Sequence, residues 1–280
     1  MTSLAQYEIQ PHHRLNRAQV DQYMDEGYLV YPSKIFPDEK FGKLKDHFEA
    51  KLAALPAGVR PEAMDVPHFT DPALFEWLFA DEVLDLVEPI LGPDIALFAS
   101  HFICKPKGDG RKVPWHEDSF YWKGMLEPME VVTVWLAIDP STEENGCMFV
   151  KPRTHRIGRK GFSDYEPVDE SKNVFSTEIV DPDRRPFEEV PVILEPNHAS
   201  LHDGRLMHGS AANTSAKRRC GYTMRYISSA SVLSESAREV HHIYLARGRD
   251  LGDQARNYGD PAVAYHDFMK MRRQRGRLGH

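Results

Sequence analysis

Two clusters of side chains suited to metal chemistry stand well apart in this chain. The first is Val113-Pro114-Trp115-His116-Glu117-Asp118-Ser119-Phe120-Tyr121-Trp122. In an extended strand residues i and i+2 leave from the same face, so the imidazole of His116 and the carboxylate of Asp118 are expected to project together. The second is Leu201-His202-Asp203-Gly204-Arg205-Leu206-Met207-His208-Gly209-Ser210, which supplies a distal histidine. Two imidazoles and one carboxylate, His116, Asp118 and His208, make a 2-His-1-carboxylate facial triad. Such a triad leaves open positions on a non-haem Fe(II). A His-x-Asp pair alone recurs by chance; the distal histidine and a neighbouring cation give it meaning.

That cation is Arg219, eleven residues after His208. Asn213-Thr214-Ser215 between them reads as a turn. A strand ending near His208, a turn and an antiparallel return would bring Arg219 back beside the metal. Its planar fork grips a carboxylate through two hydrogen bonds, which is what a dicarboxylate co-substrate requires. Arg218, on the opposite face, is expected to point away. His202 lies six residues before His208. If both sit on one strand they are about 20 Å apart, so His202 reads as a packed polar residue and not as a ligand. His155 reads as structural near a turn, and His101 as a residue of either cavity or core. Phe120 and Tyr121 read as packing or as a wall over the substrate. His68 and Phe69 fall in a loop and are expected at the surface.

The elements that position these residues divide into two halves. Asn16 can cap a short helix that Gly27 ends, and Tyr28-Leu29-Val30-Tyr31 reads as a strand closed by Pro32. Pro37-Asp38 opens a helix with Phe41, Leu44, Phe48, Leu52 and Leu55 on one stripe. Residues 56–71 read as a loop, and a third helical region runs from Asp71-Pro72 to Gly92-Pro93. From residue 94 strands take over: 95–99, 102–104, the His116 strand, 131–138, 147–150, 190–194, 199–202 and 221–227. Residues 158–188 are long, polar and aperiodic, and read as an excursion over a barrel mouth, a lid. The last 45 residues are mixed and polar, with a helix expected around 261–273. The pattern predicts a mainly β protein with flanking helices, a sandwich or barrel, and no βαβ alternation.

Composition narrows the classes. The chain has 280 residues, 41% hydrophobic and 28% charged. That suits one sizeable core, a single domain over 1–280 with a helical part at 1–92, a β core at 93–230 and an extension at 231–280. The formal net charge of −7, with basic residues concentrated only in Met271-Arg272-Arg273-Gln274-Arg275-Gly276-Arg277, disfavours nucleic acid as a partner. No apolar run approaches the ~20 residues that span a bilayer, and the N-terminus lacks the pattern of a signal peptide. Cys104, Cys147 and Cys220 are odd in number and widely spaced, and read as small buried hydrophobes. A cytoplasmic location, a small-molecule substrate, no nucleic acid, no membrane, and a monomer or homodimer are expected.

Over roughly residues 18–228 the chain resembles the phytanoyl-CoA dioxygenase family of Fe(II)/2-oxoglutarate-dependent oxygenases. The segments that carry the resemblance are Asp25-Glu26-Gly27-Tyr28-Leu29-Val30, Trp115-His116-Glu117-Asp118, the run from Glu144 through Thr154-His155, and His202 through Ser210 with Asn213-x-Ser215 and Arg218-Arg219. The resemblance implies a double-stranded β-helix (jelly roll, cupin-like) with N-terminal helical buttresses. His116, Asp118 and His208 match the metal ligands, and Arg219 matches the arginine that pairs with the distal carboxylate of 2-oxoglutarate. Ser210 and Trp122 match positions lining the co-substrate site, Lys105 matches a lysine near it in some members, and Trp135 matches an aromatic there. Lys151-Pro152-Arg153-Thr154-His155 departs from the family's usual Pro-Gly-Ser/Thr-His, which alters a turn and not the chemistry.

The implied reaction consumes 2-oxoglutarate and O₂, yields succinate and CO₂, and hydroxylates an unactivated C–H bond, with ascorbate as the reductant in vitro. Halogenating relatives carry a small residue where Asp118 stands, so the carboxylate argues for hydroxylation. Desaturation, epimerisation or ring formation by the same centre, a jelly-roll binding module without turnover, and a zinc hydrolase on the same three ligands are the alternatives. The presence of all three ligands speaks against the binding module, and Arg219 against the hydrolase.

Overall fold

The computed structural model describes residues 14–157, 163–180, 187–252 and 258–264. The N-terminal arm at 1–13, the basic tail and all but the start of the helix expected at 261–273 lie outside them. So do parts of the 158–188 excursion.

Among the described residues, six α-helices and fifteen strands follow one another along the chain. The helices are α1 (Arg17–Glu26), α2 (Asp38–Ala53), α3 (Phe75–Leu78), α4 (Asp81–Leu91), α5 (Asp118–Tyr121) and α6 (Glu235–Val240). The strands are β1 (Tyr28–Val30), β2 (Met64–Asp65), β3 (Ile95–Lys105), β4 (Val113–His116), β5 (Leu126–Glu127), β6 (Val131–Ala137), β7 (Met148–Val150) and β8 (Tyr165–Pro167). After them come β9 (Thr177–Ile179), β10 (Val190–Val192), β11 (Ala199–Asp203), β12 (His208–Ser210), β13 (Arg219–Ser228), β14 (Val232–Leu233) and β15 (Tyr244–Arg247). The major sheet has the order β1-β11-β6-β13-β3-β15, with β2 paired to β3; the minor sheet has the order β10-β7-β12-β4. Every pairing within them is antiparallel. Successive core strands alternate between the sheets except at β7 and β10, which pair within the minor sheet, and this wraps them into the expected jelly roll.

Helices α1 to α4 cover the outer face of the major sheet. Helix α1 starts at Asn16, whose side chain accepts from the Gln19 amide while the Gln19 side chain accepts from the Asn16 amide. It ends at Gly27, in the left-handed region at φ +83°. Helix α2 buries Leu44 and Phe48 of its predicted stripe, with Phe41, Leu52 and Leu55 partly covered. Helices on one face and the minor sheet on the other leave β6 buried along its whole length, and β3 and β13 nearly so. That explains the lack of alternation in the Val131–Ala137 run.

Three expectations change. The separate strands at 95–99 and 102–104 are one strand, β3; the polar Ser100 and His101 that interrupt the apolar run are buried and bonded. Ser100 Oγ meets His68 Nδ1 at 2.7 Å and accepts from the Tyr222 hydroxyl at 3.1 Å, and His101 Nε2 meets the Glu62 carbonyl at 3.0 Å. The stretch 56–71 holds β2 and two 3-10 turns, and His68 and Phe69 are buried in the core instead of at the surface. The polar C-terminal segment supplies α6 and β15, and β15 extends the major sheet beside β3. With β1 at the other edge, the sheet draws strands from outside 93–230. All three cysteines are buried and free. Among the described residues, no helix is long and apolar enough to cross a membrane.

Candidate metal and co-substrate site

His116 ends β4 and faces His208, the first residue of β12, directly across the strand pair. Their rings lie 4.1 Å apart between centroids. Asp118 does not lie in the strand as the sequence suggests: it opens α5. Glu117 between them keeps an extended backbone (φ −110°, ψ 125°), so the alternation survives and both side chains still leave together. One ligand atom from each of His116, Asp118 and His208 lies within 4.8 Å of the others, and all three residues are buried.

The imidazoles are held in one orientation. His116 Nδ1 donates to the Pro114 carbonyl at 2.8 Å, and His208 Nδ1 donates to the Leu206 carbonyl at 2.9 Å. Each bond fixes a tautomer whose Nε2 is a free lone pair, the form that binds a metal. Burial, then the neighbouring His116 and His202, drive the His208 pKa well down, so the ring is neutral. Burial alone would raise the Asp118 pKa, but Arg225 and the surrounding imidazoles hold it well below the usual carboxylate range. An oriented nitrogen pair beside an ionised oxygen is the donor set that Fe(II) accepts.

Arg219 opens β13 and is buried, 2% exposed. Its Nε and Nη2 donate to the Gly146 carbonyl at 3.1 and 2.8 Å, and Nη2 also donates to Ser210 Oγ at 3.1 Å. The guanidinium lies 5.5 Å from the Trp135 ring centre. Burial pulls its pKa down to about 10, which leaves it cationic at neutral pH. Lys105, directly opposite Arg219 on β3, donates to the carbonyls of Ser210 and Ala211. Trp135 can cross the sheet here because Gly221 offers no Cβ; one placed there would meet the indole at 2.2 Å. Arg218, as expected, points away, bridging Asp139 and Glu49 of α2.

One cavity joins the two histidines of the triad to the arginine. His116, His208, Ser210, Arg219 and Trp135 line it, with Ile103, Val113, Met148 and Phe175 as its apolar wall. Trp122 does not line this cavity: it packs edge-on against Phe98 and lies 5.4 Å from the Arg225 guanidinium. Part of the excursion over 158–188 lies beside the triad. Tyr165 stacks on Phe120 at 3.6 Å and its hydroxyl accepts from the Glu117 amide, while Phe175 meets His116 edge-on at 4.8 Å. His155 is buried near a turn, with Nε2 3.2 Å from the Met24 carbonyl. His101 faces the Glu62 carbonyl instead of the triad.

Two residues of this region were missed by sequence reasoning. Arg225 points two nitrogens at Asp118, at 3.2 and 3.4 Å. Its signal was parity: it lies six residues beyond Arg219 on one strand. His202 is the other. It lies next to last in β11 of the major sheet, and the turn after Asp203 folds the chain into the minor sheet, so the 20 Å separation of a single strand never arises. Its ring lies 4.8 Å from that of His208, and its Nε2 3.9 Å from Asp118.

A jelly roll carrying two histidines, an aspartate and a buried arginine on its inner face has the cupin-like fold of the Fe(II)/2-oxoglutarate oxygenases. The chain belongs to the phytanoyl-CoA dioxygenase (PhyH) family, whose model matches residues 23–221. It is 30% identical over 224 residues to a probable phytanoyl-CoA dioxygenase of Caenorhabditis elegans, covering 74% of this chain and 68% of that protein. The first curated relatives it matches are spanned over about half their length. Among solved structures, the non-heme monooxygenase ThoJ superposes with a TM-score of 0.68 at 22% identity, covering 92% of this chain and 96% of that one. EctD of S. alaskensis, with 2-oxoglutarate and 5-hydroxyectoine bound, superposes with a TM-score of 0.63 at 21% identity over 79% and 78%.

Proposed function

We propose that the protein is an Fe(II)- and 2-oxoglutarate-dependent dioxygenase that hydroxylates an unactivated C–H bond of a small organic molecule. One observation carries this reading: His116 and His208, whose ligand atoms cluster with that of Asp118, line the same cavity as the buried Arg219. Membership of the PhyH family supports it.

His116 and His208 would hold the metal through Nε2 and Asp118 through one carboxylate oxygen. Bound Fe(II) with 2-oxoglutarate supplies the oxidising chemistry, at the cost of O₂ and with release of succinate and CO₂. The chain's own residues bind, orient and shield. Arg219 offers a charged fork to the distal carboxylate, and Ser210 a hydroxyl beside it. Trp135 packs against the guanidinium and fixes its plane. Ile103, Val113, Met148 and Phe175 keep water from the reacting centre. Because the carbonyls of Pro114 and Leu206 hold both imidazole tautomers, the donor set is organised before a ligand arrives.

The test is succinate formation by the purified protein supplied with Fe(II), ascorbate, O₂ and 2-oxoglutarate, with and without pooled metabolites. Turnover should vanish in His116→Ala. In Arg219→Gln the KM for 2-oxoglutarate should rise by about 10–100-fold, the worth of lost charge-assisted hydrogen bonds. Absence of both turnover and Fe(II)-dependent 2-oxoglutarate binding in calorimetry would overturn the reading in favour of a binding module.

A further inference from the structure

The inner face of the major sheet carries polar groups beyond the metal ligands and the co-substrate arginine. His202 on β11 stands opposite Thr133 on β6, and Thr133 stands opposite Arg225 on β13. Residues directly opposite share a face, so these three side chains form one row across adjacent strands. All are buried, His202 at 1%, Thr133 at 0% and Arg225 at 7% exposure. Neither ring nitrogen of His202 nor the hydroxyl of Thr133 has a hydrogen-bond partner. Ser200, opposite Trp135 in the next row, is buried and unpartnered as well. Burying such groups unsatisfied is costly, and a cluster of them on one face is exceptional.

Arg225 is the charged member of the row. Its contacts to Asp118, at 3.2 and 3.4 Å, are longer than the ~2.7–2.9 Å of a tight charge-assisted bond. Thr223 accepts from its third nitrogen at 3.1 Å, and Trp122 flanks it. Arg225, His202 and Thr223 all line the cavity that His116 and His208 line. On the reading proposed above, Asp118 and a 2-oxoglutarate dianion face a divalent metal, Arg219 and Arg225. One positive charge is then left unmatched in a water-poor interior, which favours a monoanionic occupant.

We propose that the His202–Thr133–Arg225 row docks an oxyanion of the primary substrate, a carboxylate in the simplest case. Arg225 supplies the cation, and His202 and Thr133 supply further hydrogen bonds. The substrate class is thus a small organic acid, distinct from the co-substrate, held by an arginine at the opposite end of β13 from Arg219. This rests on the metal and co-substrate reading of the same cavity.

The experiment uses full-length protein loaded with Co(II) and saturating 2-oxoglutarate, followed by the visible spectrum of the metal. Butyrate is titrated as the probe, with butyramide as its uncharged counterpart. Butyrate should perturb the spectrum saturably and butyramide should not. Arg225→Gln should weaken butyrate at least about tenfold, and Thr133→Val, which leaves the Arg225–Asp118 contact in place, about threefold, in keeping with a lost charged and a lost neutral hydrogen bond. Failure of the protein to bind Co(II) and 2-oxoglutarate would overturn the metal and co-substrate reading, and this one with it. Intact loading with equal responses to butyrate and butyramide, or butyrate binding that weakens as 2-oxoglutarate rises, would overturn the docking row alone. So would loss of Co(II) itself from Arg225→Gln, which would mark Arg225 as a support for Asp118 and not a substrate group.

Discussion

Neighbouring arginines here have opposite fates because strand parity separates them. Arg218 turns outward to Glu49 and Asp139 and is partly exposed, whereas Arg219 turns inward and is buried. Lys105, across from Arg219, shows what such a position does to a cation: its pKa is pulled down to about 6, first by burial and then by Arg219. The sign of the consequence follows from proton counting. Unfolded, this lysine holds its proton up to about pH 10.4, while in the fold it releases it near 6. The unfolded state therefore binds more protons between those limits, and stability rises with pH there, by at most about 1.4 kcal/mol per unit from this group. Urea unfolding at pH 6.5, 7.5 and 8.5 should show that rise in the wild type and a flatter profile in Lys105→Met. Equal slopes in the two proteins would place the lysine's titration elsewhere.

At the scale of elements, two distant sequence segments form one latch. The end of α1 and the turn at 151–156 are joined by the Arg153 amide donating to the Glu26 carbonyl at 2.8 Å, the Arg156–Asp25 ion pair at 2.6 Å and the contact of His155 with Met24. Gly27 sits between them at φ +83°, and a Cβ there would stand 2.4 Å from His155 Nδ1. Arg153 takes the left-handed conformation (φ +68°) at the residue where the family usually has glycine, so the sequence departure is indeed a matter of the turn. Gly42, in the middle of α2, has nothing near its missing Cβ. Two substitutions of the same type should therefore have opposite signs. Gly27→Ala should destabilise by about 2 kcal/mol or more, from backbone strain plus the clash. Gly42→Ala should stabilise by roughly 0.5–1 kcal/mol, through helix propensity. Denaturant midpoints at constant m-value decide both, and a gain of stability in Gly27→Ala would refute the latch.

At the scale of the molecule, the site is a seam between two sheets. The triad comes from β4, α5 and β12 on the minor-sheet side, and Arg219 and Arg225 come from β13 of the major sheet. A ligand that bridges both sides should stabilise the whole roll. With metal and 2-oxoglutarate each at about 100 times its dissociation constant, each should add about 2.7 kcal/mol to the unfolding free energy. Thermal melts in the presence of Co(II) should shift upward in the wild type and not in His116→Ala. A chelator should reverse the shift.

The sequence by itself determined the candidate site and most of the elements. His116-x-Asp118, His208 and Arg219 were legible because strand parity and a turn are local properties, and the stripes of α1 and α2 because amphipathic periodicity is local too. The Val131–Ala137 strand could be read for a related reason: burial on both faces leaves an unbroken apolar run. What only the tertiary structure decided depends on contacts across sheets. His202 approaches His208 because Asp203 accepts from the amide and Nε of Arg205, and this tight turn hands the chain from one sheet to the other. Ser100 and His101 stay inside one continuous strand because partners far along the chain satisfy them. The pairing of Arg225 with Asp118, and the row it forms with Thr133 and His202, are matters of register between strands distant in sequence. No window of local sequence encodes which residue will stand opposite another, because that choice is made only when both faces of the sheet find their cover.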